Sequence, residues 1–182
     1  MNMVRFLNKS EYLDTIPLLT ACFGDDEEFI SEYYGSEEKP GEVFKGRIAV
    51  KELDGRIVSM VHLKPVQAVY ESEDPSGRSI DISYILCVST LPAYRHRGYM
   101  DEVMVFVTDT LRREGAPWCF LIAVSKEIYR HLGFVYDWKL SDREAEMLYA
   151  DEGLNEASGK LLNAKQMMIP SKIIPGSRKY GS

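Results

Sequence analysis

One stretch constrains this chain more than any other. Val88, Ser89 and Thr90 close an apolar run, Pro92 breaks it, Arg95, His96 and Arg97 follow, and Gly98 opens a helical pattern. A strand that turns straight into a helix is the first half of a strand–helix–strand unit, whose crossover is right-handed and whose outer strands are parallel. The turn is also an anion site in outline. Free backbone N–H groups at a helix start and the positive end of the helix dipole aim at one spot. The three basic side chains add charge there, and Gly98 lets the backbone approach a ligand closely.

The flanks support this reading. Met100, Val103, Met104, Val107 and Leu111 fall at helical spacing and form one apolar stripe over residues 99–114. Arg112 and Arg113 suit the negative end of that helix, and Gly115 suits its cap. Upstream, residues 79–88 alternate poorly, as expected of a central strand covered on both sides. Before it, Asp54-Gly55 joins residues 47–53 and 56–63 as a hairpin. Pro65 is expected to interrupt or edge the second strand.

The remaining elements are shorter. Residues 4–7 read as a first strand. Ser10 is the expected N-cap of a helical segment over residues 11–23, kinked or split at Pro17 and closed by Gly24. The acidic run 25–28 opens a second short helix through Tyr34. Residues 118–123 look like an inner strand, 126–132 a brief helix capped by Ser125, and 134–138 a last clear strand. The predicted class is α/β of α+β type, a central mixed sheet with helices on both faces. Residues 1–140 are expected to form one domain. Residues 141–182 are polar with extended apolar pieces at 167–170, and form an extension that packs on the domain or on a partner chain.

Charge narrows the function. The chain has 182 residues and a net charge of −6, so a nucleic-acid coat is a poor reading. Cationic small molecules are better suited to it. Cys22, Cys87 and Cys119 are odd in number and widely spaced, which predicts buried thiols in a reducing compartment and no metal site. No apolar run has the length of a signal peptide or a membrane span, so a cytoplasmic protein is expected.

Two motifs carry a family likeness. Residues 95–100, Arg-His-Arg-Gly-Tyr-Met, resemble the acetyl-coenzyme A loop of the GCN5-related N-acetyltransferases (GNAT), whose pattern is Arg/Gln-x-x-Gly-x-Gly/Ala. Residues 127–134 resemble that superfamily's later motif, where a tyrosine on a short helix precedes a Gly-Phe entering a strand. More narrowly, the chain resembles the N-terminal domain of enhanced intracellular survival type acetyltransferases. The likeness covers roughly residues 4–138. Met100 departs from the general pattern, and its side chain must turn into the core to leave room for pyrophosphate.

The resemblance implies an acyl-CoA N-acyltransferase fold, with acetyl-CoA as acetyl donor and cosubstrate. It implies an acetyl transfer to a primary amine by direct attack. Val88, Ser89 and Thr90 would pair with the pantetheine arm, while Arg95, His96, Arg97, Gly98, Tyr99 and Met100 would hold the pyrophosphate. Tyr129 would give a proton to the leaving thiolate as general acid; its plainer role is to pack the short helix onto the sheet. No base stands out. Glu127, Asp81 and His62 are candidates, each also readable as an ordinary surface or strand-face residue. The acidic run 25–28 with Glu32, Tyr33 and Tyr34 would border a small-molecule or peptide amine of cationic character, or simply form a solvated helix start. A homodimer is open, and neither nucleic acid nor membrane is expected as a partner. The competing function is a non-catalytic coenzyme A sensor or interaction domain.

Overall fold

The computed structural model describes residues 2–35, 44–69, 79–116, 119–123, 125, 127–139 and 166–170. The chain divides into two compact units, residues 1–115 and 116–182.

In the first unit, β1 (Asn2–Phe6), β2 (Arg47–Leu53), β3 (Arg56–Val69) and β4 (Ser79–Thr90) pair in order, each antiparallel to the next. The Asp54-Gly55 hairpin forms where expected, with positive φ at both turn residues. Of the two outcomes expected at Pro65, the structure shows the edge: β3 runs to Val69, with Pro65 opposite Ser83 of β4. The reason lies in the pairing. β2 stops at Leu63, so beyond it β3 has β4 as its paired neighbour and can seat a residue that lacks an N–H.

Helices cover both faces of this sheet. Lys9–Thr15 is a 3-10 helix, followed by α1 (Ile16–Phe23) and α2 (Glu27–Tyr34). A segment kinked or split at Pro17 was the expectation, and it is split: the 3-10 helix ends at Thr15 and α1 begins at Ile16. Pro17 lies in the first turn of α1, where a missing N–H has no helical partner to lose. Asn8, not Ser10, caps the 3-10 helix, and its N–H donates to the Glu11 carboxylate at 2.7 Å. Ile48, Val50, Val58 and Met60 pack with Leu18, Leu19, Ile30 and Tyr34 as one core. The alternate β2 residue, Lys51, faces α3 (Tyr99–Arg113) and pairs with Glu102. The apolar stripe of α3 is buried at Val103, Met104, Val107 and Leu111.

Gly46 shows how tightly this core is drawn. A Cβ there would sit 2.2 Å from the Leu63 carbonyl oxygen and 2.4 Å from the Phe44 ring.

The second unit holds β5 (Cys119–Ile122), α4 (Glu127–Arg130), β6 (Phe134–Lys139) and β7 (Gln166–Pro170). β7 pairs antiparallel with both β5 and β6. Thus one stretch of the polar extension becomes a strand between two strands of its own unit. Residues 140–165 and 171–182, most of the expected extension, lie outside the described residues. No described helix is long and apolar enough to cross a membrane. The three thiols are free. Cys119 is buried, as expected, but Cys22 and Cys87 are only half-buried.

Candidate active site

The site begins with a defect in β4. Met60 faces Ser89 and His62 faces Leu86, so Val61 alone opposes both Cys87 and Val88. This is a β-bulge, and Cys87 takes φ +49° to form it. The sequence expectation was an unbroken strand over residues 79–88, with Ile80, Ile82, Tyr84, Leu86 and Val88 on one face. The extra residue interrupts that face and re-aims the last three residues of the strand.

Those last residues are held by side chains from neighbouring elements. Ser59 donates to the Ser89 carbonyl at 2.9 Å and shares a hydrogen bond with the Thr90 hydroxyl at 2.8 Å. The Thr90 carbonyl accepts from Arg95 Nε at 3.2 Å and from the Cys22 thiol at 3.4 Å. Ser89 is buried, and Val88 and Thr90 are half-buried. The Leu91 N–H bonds the Val58 carbonyl at 2.9 Å, which carries β4 into the turn.

The turn then opens. Pro92–Tyr94 is a single 3-10 turn. His96 and Gly98 both adopt left-handed backbone, at φ +60° and +79°. Among the described residues, the N–H groups of His96, Arg97, Gly98, Tyr99 and Met100 have no hydrogen-bond acceptor. A Cβ at Gly98 would meet nothing within 4 Å, so the space beside the turn is open. Arg95, His96, Arg97 and Gly98 are exposed, and Tyr99 and Met100 are half-buried in the first turn of α3. The nine expected contact residues flank this turn, Val88, Ser89 and Thr90 at the end of β4 and Arg95 to Met100 from the loop into α3. Beneath it, buried Lys51 pairs with Glu102 and lies 5.6 Å from the Tyr99 ring centre.

Tyr129 belongs to the second unit. It is half-buried on α4, its ring 6.2 Å from that of Phe134 in an edge-on arrangement. Burial pushes its hydroxyl up to about 12, so it keeps its proton at physiological pH.

His62 is sealed in the core of the first unit at 0% exposure, where a base has no access to a substrate. Burial drives its imidazole down to about 3. Its Nε2 lies 2.9 Å from the Tyr34 hydroxyl, which lies 3.0 Å from Thr15 Oγ1. Thr15 spends its one proton on the Tyr12 carbonyl at 2.7 Å, so it accepts from Tyr34, and Tyr34 accepts from His62 Nε2–H. Nδ1 is then a bare lone pair, with no partner among the described residues. Tyr34 is fully buried with it and does not line an acceptor surface. Asp26 is the N-cap of α2, accepting from the Phe29 N–H at 2.8 Å, and Glu27 and Glu28 occupy the first turn. Glu127 is exposed and accepts from the Ser125 hydroxyl at 2.6 Å, and Asp81 is exposed on β4. No cluster of metal-ligating side chains occurs among the described residues.

Sequence reasoning missed three contributors: the Cys87 bulge, Ser59, and Arg56, whose Cζ lies 5.7 Å from the Tyr94 ring centre. None has a local signal, because each acts across strands or between distant turns.

The family described as "Acetyltransferase (GNAT) domain" matches residues 3–136. The chain belongs to the GNAT acetyltransferase family. The expected acyl-CoA N-acyltransferase fold, a mixed sheet with helices, is the fold of its solved neighbours. A probable N-acyltransferase from Enterococcus faecalis is 17% identical with a TM-score of 0.63, covering 76% of this chain and 33% of that one. The chain thus spans about a third of that protein's length. A GNAT family acetyltransferase from Brucella melitensis, solved with acetyl-CoA, is 19% identical with a TM-score of 0.55, covering 74% of this chain and 83% of that one. The ribosomal-protein-S18-alanine N-acetyltransferase of Escherichia coli is 12% identical with a TM-score of 0.59, covering 100% of both chains. A comparison with curated protein sequences finds no match.

Proposed function

We propose that this chain moves an acetyl group from acetyl-CoA to a primary amine by direct attack, with Tyr129 as general acid. The observation that carries the reading is the row of open N–H groups from His96 to Met100 beside Gly98, in a chain of this family. Such a row recognises a diphosphate, and Arg95, His96 and Arg97 add charge to it. Val88, Ser89 and Thr90 offer the pantetheine arm a strand edge to pair with. A solved GNAT relative in complex with acetyl-CoA supports the choice of donor.

In the reaction, the neutral amine bonds to the thioester carbon and the carbonyl electrons move to oxygen. A backbone N–H near residues 88–90 meets that charge. The carbon–sulfur bond then breaks, the thiolate takes the Tyr129 proton, and the new ammonium loses a proton to give the amide. The acceptor is a small-molecule or peptide amine, and the acidic start of α2 suits a cationic one. Residues 1–140 form the acetyltransferase domain and 141–182 its extension. The narrower likeness to the enhanced intracellular survival type rests on the basic loop at residues 95–97 and on Ile128-Tyr129.

The test is thiol release from acetyl-CoA over a panel of amines. Tyr129→Phe should lower kcat at least about tenfold with little change in coenzyme Kd. Unchanged kcat removes Tyr129 from the chemistry. Thermal stabilisation by coenzyme A without turnover on any amine favours the sensor.

A further inference from the structure

The basic side chains of the first unit fall into two groups. Arg5 pairs with Glu11 and Glu52, Arg47 with Glu114, Lys51 with Glu102 and Arg112 with Asp109. Lys9, Lys45, Arg95 and Arg113 form no ion pair among the described residues, and neither do Arg56 and Arg97. These last two come from distant places, the β2–β3 turn and the basic loop, yet both guanidiniums lie over one ring. Arg56 Cζ is 5.7 Å and Arg97 Cζ 5.5 Å from the Tyr94 centre. All three line a groove of about 480 Å³ with an apolar wall that includes Leu91 and Pro92.

We propose that Arg56, Tyr94 and Arg97 form a phosphomonoester site contiguous with the coenzyme loop. This rests on the coenzyme reading of residues 88–100, because Arg97 belongs to both. Two guanidiniums without carboxylates leave two positive charges unmatched in an acidic chain. A phosphomonoester carries nearly two negative charges and three acceptor oxygens, which answers both. A carboxylate answers only one. Both guanidiniums lie within cation–π range of the Tyr94 ring, and neither commits a donor to a carboxylate. An adjoining groove of about 610 Å³ shares Arg56 and also carries Asp14 and Glu52. Glu52 is held by Arg5 at 3.0 Å, and Asp14 forms no ion pair with Arg56. The phosphate comes either from the coenzyme's own 3′-phosphate or from a separate phosphorylated small molecule.

Calorimetric titration of the full chain with coenzyme A, 3′-dephospho-coenzyme A and inorganic phosphate separates these sources. The wild type should bind coenzyme A about tenfold more tightly than the dephospho form, and Arg56→Gln should erase that preference while keeping dephospho-coenzyme A binding. That result assigns the site to the coenzyme. Equal binding of both forms, with phosphate affinity lowered at least about fivefold by Arg56→Gln, supports a separate phosphomonoester. A preference that survives Arg56→Gln overturns the site. So does equal binding of both forms with no phosphate binding that depends on Arg56. Failure of the wild type to bind dephospho-coenzyme A at all is a different result: it sinks the coenzyme loop, and the phosphate arm still reads Arg56.

Discussion

Two aromatic clusters in the first unit are built from similar residues and do opposite work. One lies under α2. Tyr34 and His62 have no exposure, Phe44 packs 5.0 Å from His62, and Tyr12 donates to the Gly46 carbonyl at 2.8 Å. The other lies at the basic loop. Tyr94 and Tyr99 are half-buried with ring centres 6.4 Å apart, and cations sit over both. A sealed tyrosine must have its hydroxyl bonded by protein, which makes it a brace. An open tyrosine leaves its hydroxyl to water and its face to a cation, which makes it a platform. Burial, and not residue type, decides between them.

The largest effect should come from breaking the brace. Tyr34→Ala removes a fully buried ring and strands the polar atoms of Thr15 and His62, so urea unfolding should show a loss of about 3–5 kcal/mol. Tyr34→Phe keeps the ring and should cost only about 1–2 kcal/mol. Equal losses for the two would mean that the hydroxyl, lost in both, carries the whole effect and the ring packing none.

The next effect is on pH. The His62 imidazole lies far below its ordinary value when folded, held there by burial. The unfolded chain therefore binds the extra proton first, and stability falls as pH drops from about 6.5 toward 3, by about 1.4 kcal/mol per pH unit at most. Glu11 adds a later loss. The Arg5 guanidinium holds its carboxyl down at about 2, so its contribution is present at neutral pH and fades below the ordinary carboxylate range. Stability measured against pH should lose its limb between pH 6 and 4.5 in His62→Gln (both bounds are about half a unit wide). An unchanged limb would place the early acid sensitivity elsewhere.

The smallest stability effect belongs to the platform. Tyr94→Ala should change unfolding by about 1 kcal/mol or less, because the ring is half-buried and its cations remain solvated. A loss as large as that of Tyr34→Ala would erase the distinction between the clusters.

The local pieces were legible. The basic turn, Gly98 and the stripe on α3 have signatures a few residues long, and all appear where the spacing predicts. So does the Asp54-Gly55 hairpin. Each proline left two outcomes open in the sequence, and one cause chose between them. Pro65 continues a strand because β2 has already stopped pairing, and Pro17 starts a helix because the preceding turn is 3-10. Those facts belong to neighbours, not to the residues themselves.

The sequence by itself determined the family and the segment that carries its loop motif, because that motif depends on backbone freedom and charge within a dozen residues. Tertiary structure decided what local spacing cannot encode. It placed the bulge at Cys87 opposite Val61, sealed His62 away from solvent, and brought Arg56 to Tyr94 across 38 positions of chain (roughly the span from the hairpin turn to the basic loop). Register, burial and convergence of distant side chains arise only when strands pair, and pairing is a property of the whole sheet.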